Sequence, residues 1–208
     1  MLTEVAADRH ISWQLSLLGG DAPDFDPALD GARRRFLDSG AWVDHVPGWV
    51  TGADALFDEI VEHAPWRAFE RPMYERVVEV PRLETRGWHE GRPRVLDAMA
   101  RCLGTRYGVR LPSISANLYR DGSDSVAWHG DRIGRRRVDT VVAILSLGAT
   151  RTLLLRPDGG GPSISYALQS GDLLVQGGTC QRTFEHCVPK RAHAGPRISV
   201  MFREPMGN

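Results

Sequence analysis

The 208-residue sequence is poor in lysine and cysteine and has no long apolar run, and each shortage narrows what the chain can be. Lys190 is the single lysine among 26 basic side chains, so the rest are arginines. Arginine favours planar, two-point contacts with phosphate or carboxylate, although biased codon usage produces the same composition. Three cysteines, Cys102, Cys180 and Cys187, with no C-x-x-C pair exclude a disulfide framework and a cysteine zinc site. Reduced, mostly buried thiols are expected. The longest aliphatic stretch, residues 141–145, is far short of the roughly 20 residues that cross a bilayer, and no apolar signal block opens the chain. A cytoplasmic monomer without membrane contact is the expectation.

Net charge is also absent, 26 basic residues matching 26 acidic ones, but the balance hides an asymmetry. Residues 1–60 hold four basic and eleven acidic side chains, net −7, whereas 61–208 carry the compensating +7. A basic body suits an anionic partner such as nucleic acid; equally, the acidic segment can fold back over it. Hydrophobic and charged fractions of 42% and 25% are those of a globular protein. The length predicts one domain over 1–208, with 1–60 as an acidic N-terminal extension.

Glycine, proline and aspartate predict a loop over 19–31. Helical spacing of apolar residues predicts helices over 52–64, stopped by Pro65, and over 95–107, both packing on a sheet. Beyond Leu111 the period falls to two. Strands are predicted over 113–119, 125–128, 139–146, 151–156, 163–168, 172–176, 182–187 and 197–203, the pattern of a sandwich, barrel or jelly roll.

Two of these strands carry polar faces. Alternation puts Ile198, Val200 and Phe202 on one side of the last strand and Arg197, Ser199 and Arg203 on the other; an ordinary amphipathic edge strand looks the same. In 113–119, Ser115, Asn117 and Tyr119 share the polar face. Downstream, His129 and Asp131 share a face if the backbone is extended, although an H-x-D is more often a hydrogen-bonded pair than a ligand pair. His186 is the further histidine inside a β-patterned segment, while the other five histidines fall in loop or helix-edge contexts. Two histidines and a carboxylate leave open positions on ferrous iron, which fits better than a zinc hydrolase set.

In order along the chain stand Asn117-x-Tyr119-x-Asp121-Gly122, His129-x-Asp131, Ser146-Leu147-Gly148, Gly171-Asp172-Leu173-Leu174, His186-x-Val188-Pro189 and Arg197-Ile198-Ser199-x-x-Phe202-Arg203. Together they resemble the AlkB family of Fe(II)/2-oxoglutarate dioxygenases. The resemblance implies an α+β, mainly β fold, a double-stranded β-helix (jelly roll) with flanking N-terminal helices and a dioxygenase core over 80–205. It implies His129, Asp131 and His186 as iron ligands. Arg197 and Tyr119 would hold the distal carboxylate of 2-oxoglutarate, and Asn117 and Arg203 would steady it near the metal. With O2, the implied reaction is oxidative dealkylation of N-alkylated nucleobases, releasing formaldehyde, succinate and CO2; a protein or small-molecule substrate is the alternative.

A base inside a duplex must be flipped out or met in a single strand, in DNA or RNA, and needs phosphate contacts and a stacking surface. Arg132, Arg135, Arg136 and Arg137 follow the metal motif, Arg82 sits in Val80-Pro81-Arg82, which resembles the family's substrate-side motif, and Trp88 is the candidate stacker. A solvated arginine loop and a core tryptophan are the plainer alternatives. Two departures from the family fall on this side. Ile133 stands where many members have an acidic residue, and 83–89 replaces a tyrosine-rich stretch.

Overall fold

The structure, a computed structural model, describes residues 21–205 except 74, 75, 86 and 132–136, and for 70–79 the backbone alone. Its major sheet has the order β2 (Arg33–Phe36), β3 (Ala41–Val46), β12 (Leu173–Gly178), β9 (Val142–Gly148), β14 (Arg197–Arg203), β7 (Ser113–Tyr119), β6 (Arg76–Glu84), β5 (Arg67–Met73), numbered along the chain. The minor sheet has the order β11 (Ile164–Leu168), β10 (Arg151–Pro157), β13 (Phe184–Val188), β8 (Val126–His129). All neighbours in both are antiparallel. A separate two-stranded ribbon joins β1 (Asp24–Phe25) to β4 (Val50–Thr51). This is the jelly roll that the alternating segments predict, with α1 (Ala53–His63) and α2 (Arg94–Tyr107) flanking it.

Period-two alternation divides the major sheet into a helix side and a cleft side. On the helix side, Ala143, Leu145 and Leu147 of β9 and Ile198, Val200 and Phe202 of β14 join Leu56, Phe57 and Ile60 of α1 and Leu96, Met99 and Leu103 of α2. On the other, Val142, Ile144 and Met201 meet Leu153, Leu155 and Leu168 of the minor sheet. Seven consecutive buried residues make β9 a central strand covered on both faces. Each helix is punctuated by its sequence. Ala64 is extended before Pro65, and Gly108 closes α2 at φ +68°. Gly148 turns the chain out of β9 at φ +81°; a Cβ there would lie 2.8 Å from the Phe57 ring.

Two expectations are corrected. Over its described part, the 1–60 segment is not an appendage: β2 and β3 extend the major sheet through β12, and α1 packs against β9. The sequence assigns no element to 32–51 because β3 holds Asp44 and His45 among its apolar residues. Trp88 is no surface stacker but lies 1% exposed in the core cluster with α2, where a large apolar ring gains most. A smaller difference is that 180–183 forms a one-turn helix, α3 (Cys180–Thr183), before β13 begins. Among the described residues, no helix is long and apolar enough to cross a membrane.

Asp44, 2% exposed, ties the early strands to α2. Arg34 clamps both its oxygens at 2.7 Å and the Tyr107 hydroxyl donates to Oδ2 at 2.9 Å. Asp44→Ala, which strands the Tyr107 hydroxyl and releases the part-exposed Arg34 to water, is expected to cost about 1–2 kcal/mol in denaturant unfolding, and Arg34→Ala, which leaves the 2%-exposed carboxylate with Tyr107 alone, about 3–5 kcal/mol. A larger cost for Asp44→Ala than for Arg34→Ala would contradict this account.

Candidate metal and co-substrate site

Antiparallel pairing of β13 with β8 sets His186 directly opposite His129, and the two rings lie 4.4 Å apart between centroids. Asp131 follows two residues past the end of β8, after Gly130. The ligand atoms of His129, Asp131 and His186 all lie within 4.8 Å of one another, close enough to share one ion. Each is aimed by a neighbour. His129 Nδ1 lies 2.9 Å from the Ala127 carbonyl, which leaves Nε2 free for a metal. The Asp131 backbone N–H donates to Gln181 Oε1 at 2.9 Å, Gln181 is itself hydrogen-bonded to Gln176, and Arg203 Nε donates to Asp131 Oδ2 at 2.5 Å. Gly130 lets this turn approach α3: a Cβ there would come 2.9 Å from the Gln181 carbonyl.

The electrostatics suit a cation. Burial pushes the Asp131 carboxyl up, but the Arg203 guanidinium and the two imidazoles outweigh it and hold the pKa at about 2. Burial, followed by the neighbouring His129, drives His186 down to about 3. At neutral pH the site therefore offers a carboxylate and an unprotonated imidazole, the forms that bind metal.

The polar faces of β14 and β7 meet in the same cleft. Register pairs Arg197 with Tyr119, Ser199 with Asn117 and Arg203 with Ser113, and Asn117, Tyr119, Arg197, Ser199 and Arg203 line one pocket with the three ligand candidates. Arg197 is 1% exposed; its Nε donates to Ser146 Oγ at 2.9 Å, its guanidinium lies 5.3 Å from the Tyr119 ring centre, and its Nη1 has no partner. Burial lowers its pKa to about 10, which still leaves it charged at neutral pH. A buried cation with an unmet donor fits one end of a small dicarboxylate. Arg203 also donates to Ser115 Oγ at 2.9 Å, so two of its nitrogens are committed to the protein. The site otherwise has apolar walls, including Val126, Val142, Ile144, Leu153 and Val188.

Residues expected at the substrate fare differently. Arg82, 7% exposed, is ion-paired with Glu84 at 2.6 Å, and Arg137 is ion-paired with Glu204 at 2.7 Å. Arg132, Arg135 and Arg136 lie outside the described residues. Sequence reasoning missed Gln181 and Gln176, which align Asp131, and Arg151. Fully buried, Arg151 donates to the carbonyls of Asp121, Asp124 and Pro189 and lies 5.7 Å from the opposite ring neighbour of Arg197, Tyr119. An arginine shortly after Ser146-Leu147-Gly148, opening the strand that carries the apolar run 153–155, was the available signal.

The metal-free protein should lose stability in acid. The unfolded chain protonates His186 near 6.5, the folded one not until about 3, so unfolding free energy falls as pH drops through that window, by at most about 1.4 kcal/mol per unit. In urea titrations at pH 6.5 and 5, the parent is expected to lose roughly 2 kcal/mol more than His186→Gln, which takes up no proton. Parallel losses would remove the buried neutral imidazole from the account.

Comparison with known proteins agrees with this geometry. A family model described as the 2OG-Fe(II) oxygenase superfamily matches residues 94–203. Alpha-ketoglutarate-dependent dioxygenase alkB homolog 3 of Bos taurus is 30% identical over 189 residues, covering 76% of this chain and 64% of that protein. DNA oxidative demethylase ALKBH2 of Arabidopsis thaliana is 29% identical over 193 residues, covering 71% and 60%. The chain thus spans less than two thirds of the length of these relatives. Among solved structures, an oxidoreductase of the 2OG-Fe(II) oxygenase family from Burkholderia pseudomallei shares the fold, with TM-score 0.54 at 16% identity over 80% of this chain and 86% of that one. The chain belongs to the 2OG-Fe(II) oxygenase superfamily, which takes Fe(II) as cofactor and 2-oxoglutarate and O2 as co-substrates.

Proposed function

We propose that this chain removes alkyl groups oxidatively from ring nitrogens of nucleobases in nucleic acid, releasing formaldehyde, succinate and CO2. The observation that carries the reading is the single cleft in which a His129, Asp131, His186 cluster opens toward the unpartnered Nη1 of buried Arg197. The names of the relatives, a DNA oxidative demethylase among them, supply the substrate class.

In this reading His129, Asp131 and His186 would hold Fe(II). Iron with 2-oxoglutarate and O2 supplies oxidative decarboxylation coupled to hydroxylation of a C–H bond. The chain's own part is placement. Arg197, steadied by Ser146 and the Tyr119 ring, binds the distal carboxylate by a charge-assisted contact. Asn117 lies beside Ser199 nearer the metal, and Arg203 fixes the orientation of Asp131. The apolar walls exclude water around the reacting centre. No general base is needed afterwards, because a hydroxyalkyl group on nitrogen collapses to aldehyde and free base.

A second reading, the same chemistry on a protein or small molecule, draws on one observation. Trp88, Arg82 and Arg137 are each engaged within the protein.

His129→Ala and Asp131→Ala are expected to abolish succinate formation with an unfolding midpoint close to the parent's; normal turnover in either removes the metal assignment. Arg197→Ala should raise the KM for 2-oxoglutarate at least tenfold, since an unpaired buried carboxylate costs roughly 2–5 kcal/mol. Formaldehyde release measured across N-methylated single-stranded oligonucleotides separates the two readings: release supports nucleic acid, and 2-oxoglutarate turnover with none on any oligonucleotide supports the second.

A further inference from the structure

Two arginines of the protein interior share one tyrosine. The guanidinium carbon of Arg197 lies 5.3 Å from the Tyr119 ring centre and that of Arg151 lies 5.7 Å from it, and all three residues are buried. Arg197 stands at the distal end of the co-substrate cleft, whereas Arg151 does not line it. Strand alternation explains where Arg151 sits. Arg151, Leu153 and Leu155 are the buried residues of β10 and share its inward face, and Leu153 forms part of the cleft wall. Arg151 is therefore the next inward position beyond that wall, at the Tyr119 end.

Two loops meet on its guanidinium. Nη1 donates to the Asp121 carbonyl at 2.9 Å, and Nη2 to the carbonyls of Asp124 at 2.9 Å and Pro189 at 2.8 Å. Asp121 and Asp124 belong to the connection from β7 to β8, and Pro189 follows β13, so one side chain joins the strand that carries Tyr119 to the strand that carries His186. Stapling accounts for three bonds but not for the charge. Among the described residues no carboxylate forms an ion pair with Arg151 or Arg197, and Arg151 Nε, like Arg197 Nη1, has no partner. The acids whose charge reaches Arg151 are engaged elsewhere: Arg120 grips both oxygens of Asp124, at 2.8 and 2.9 Å, and Asp121 takes the N–H and hydroxyl of Ser123. Burial lowers the Arg197 pKa, and the Arg151 charge lowers it further against the opposing effect of Tyr119. An anion brought to this end of the cleft relieves both cations.

We propose that Arg151 is a specificity-determining positioning residue: its charge, held beside Tyr119 by three main-chain carbonyls, reinforces Arg197 and makes the cleft select a 2-oxo acid with a second carboxylate over one with an uncharged end. The inference rests on the proposed placement of the distal carboxylate at Arg197 and deepens it. Arg151 makes no contact with the co-substrate in this account; it acts through its field and through the loops that carry Tyr119. A neutral staple would hold those loops but would not tell the two acids apart.

The test is anaerobic calorimetric titration of the Fe(II)-loaded protein with 2-oxoglutarate and with 2-oxopentanoate, which has the same carbon chain but ends in a methyl group. The ratio of the two dissociation constants is the readout, because loosened loops weaken both acids together. Arg151→Met is expected to reduce the parent's preference about five- to tenfold, nearly all of it through weaker 2-oxoglutarate binding. Arg151→Lys keeps a charge without the planar fork, so it should hold the preference within about twofold of the parent's even where its unfolding midpoint falls. An unchanged preference in Arg151→Met, or equal weakening of both acids, leaves Arg151 as a staple and overturns the inference. Should Arg151→Met fail to fold, Arg151→Lys decides: a folded lysine variant that has lost the preference overturns it as well. Arg197→Met, run in parallel, is expected to cut the preference at least about tenfold. Loss of preference there but not in Arg151→Met sinks the role of Arg151 alone, and a parental preference in Arg197→Met sinks the placement of the distal carboxylate with it.

Discussion

A guanidinium buried in the middle of an antiparallel sheet is the constraint from which the rest of the site follows. Arg197 sits on β14, between β9 and β7, with 1% of its surface exposed. Removing a cation from water costs several kcal/mol unless its donors are met. The sheet meets part of that demand: Ser146 on one neighbouring strand accepts from Nε, and Tyr119, directly opposite on the other, offers its ring. What remains is one donor pointing into a cleft, a demand that a ligand carboxylate satisfies.

The two ends of that cleft are built on the same plan with different partners. At the far end the positive charge of Arg197 waits for an anion; at the near end Arg203 already has one, Asp131. The histidines need little help, because strand register brings them together. Asp131 lies beyond the strand and has no register to fix it, so it depends on Arg203, on Gln181 and on the absence of a side chain at Gly130. Second-sphere contacts of this kind usually decide how well a metal site is preorganised.

The same distinction explains what could be read from the sequence. Alternation alone separates Arg197, Ser199 and Arg203 from Ile198, Val200 and Phe202, and the structure puts those two sets on the cleft and helix sides of one strand. Period-two patterns report a face faithfully because a strand has only two. β3 escaped because Asp44 and His45 interrupt its apolar pattern, and the reason they are tolerated, Arg34, Tyr107 and Asp172, lies in three other segments. Gln176 and Gln181 escaped likewise: nothing local marks a glutamine as the support of an aspartate 50 residues earlier in the chain. Trp88 is the converse case. A tryptophan near a motif reads as a contact, whereas its burial depends on α2 packing over it.

Charge asymmetry left two readings open, an acidic segment that masks a basic body and a basic body that faces an anionic partner. The hydrogen bonds of the acidic segment weigh on the second side. Asp24 accepts from the N–H of Phe25, and Asp26 from those of Ala28 and Asp30; Asp44 takes Arg34, from its own segment, and the neutral Tyr107. These carboxylates are spent on shaping the turns and strands of 24–46, and none of them reaches an arginine beyond residue 60. Each of the turn carboxylates keeps its full charge, but that charge stands over 24–30 and is not paired with the arginines beyond residue 60. At the metal end of the cleft, Arg182 stands exposed beside the turn that presents Asp131.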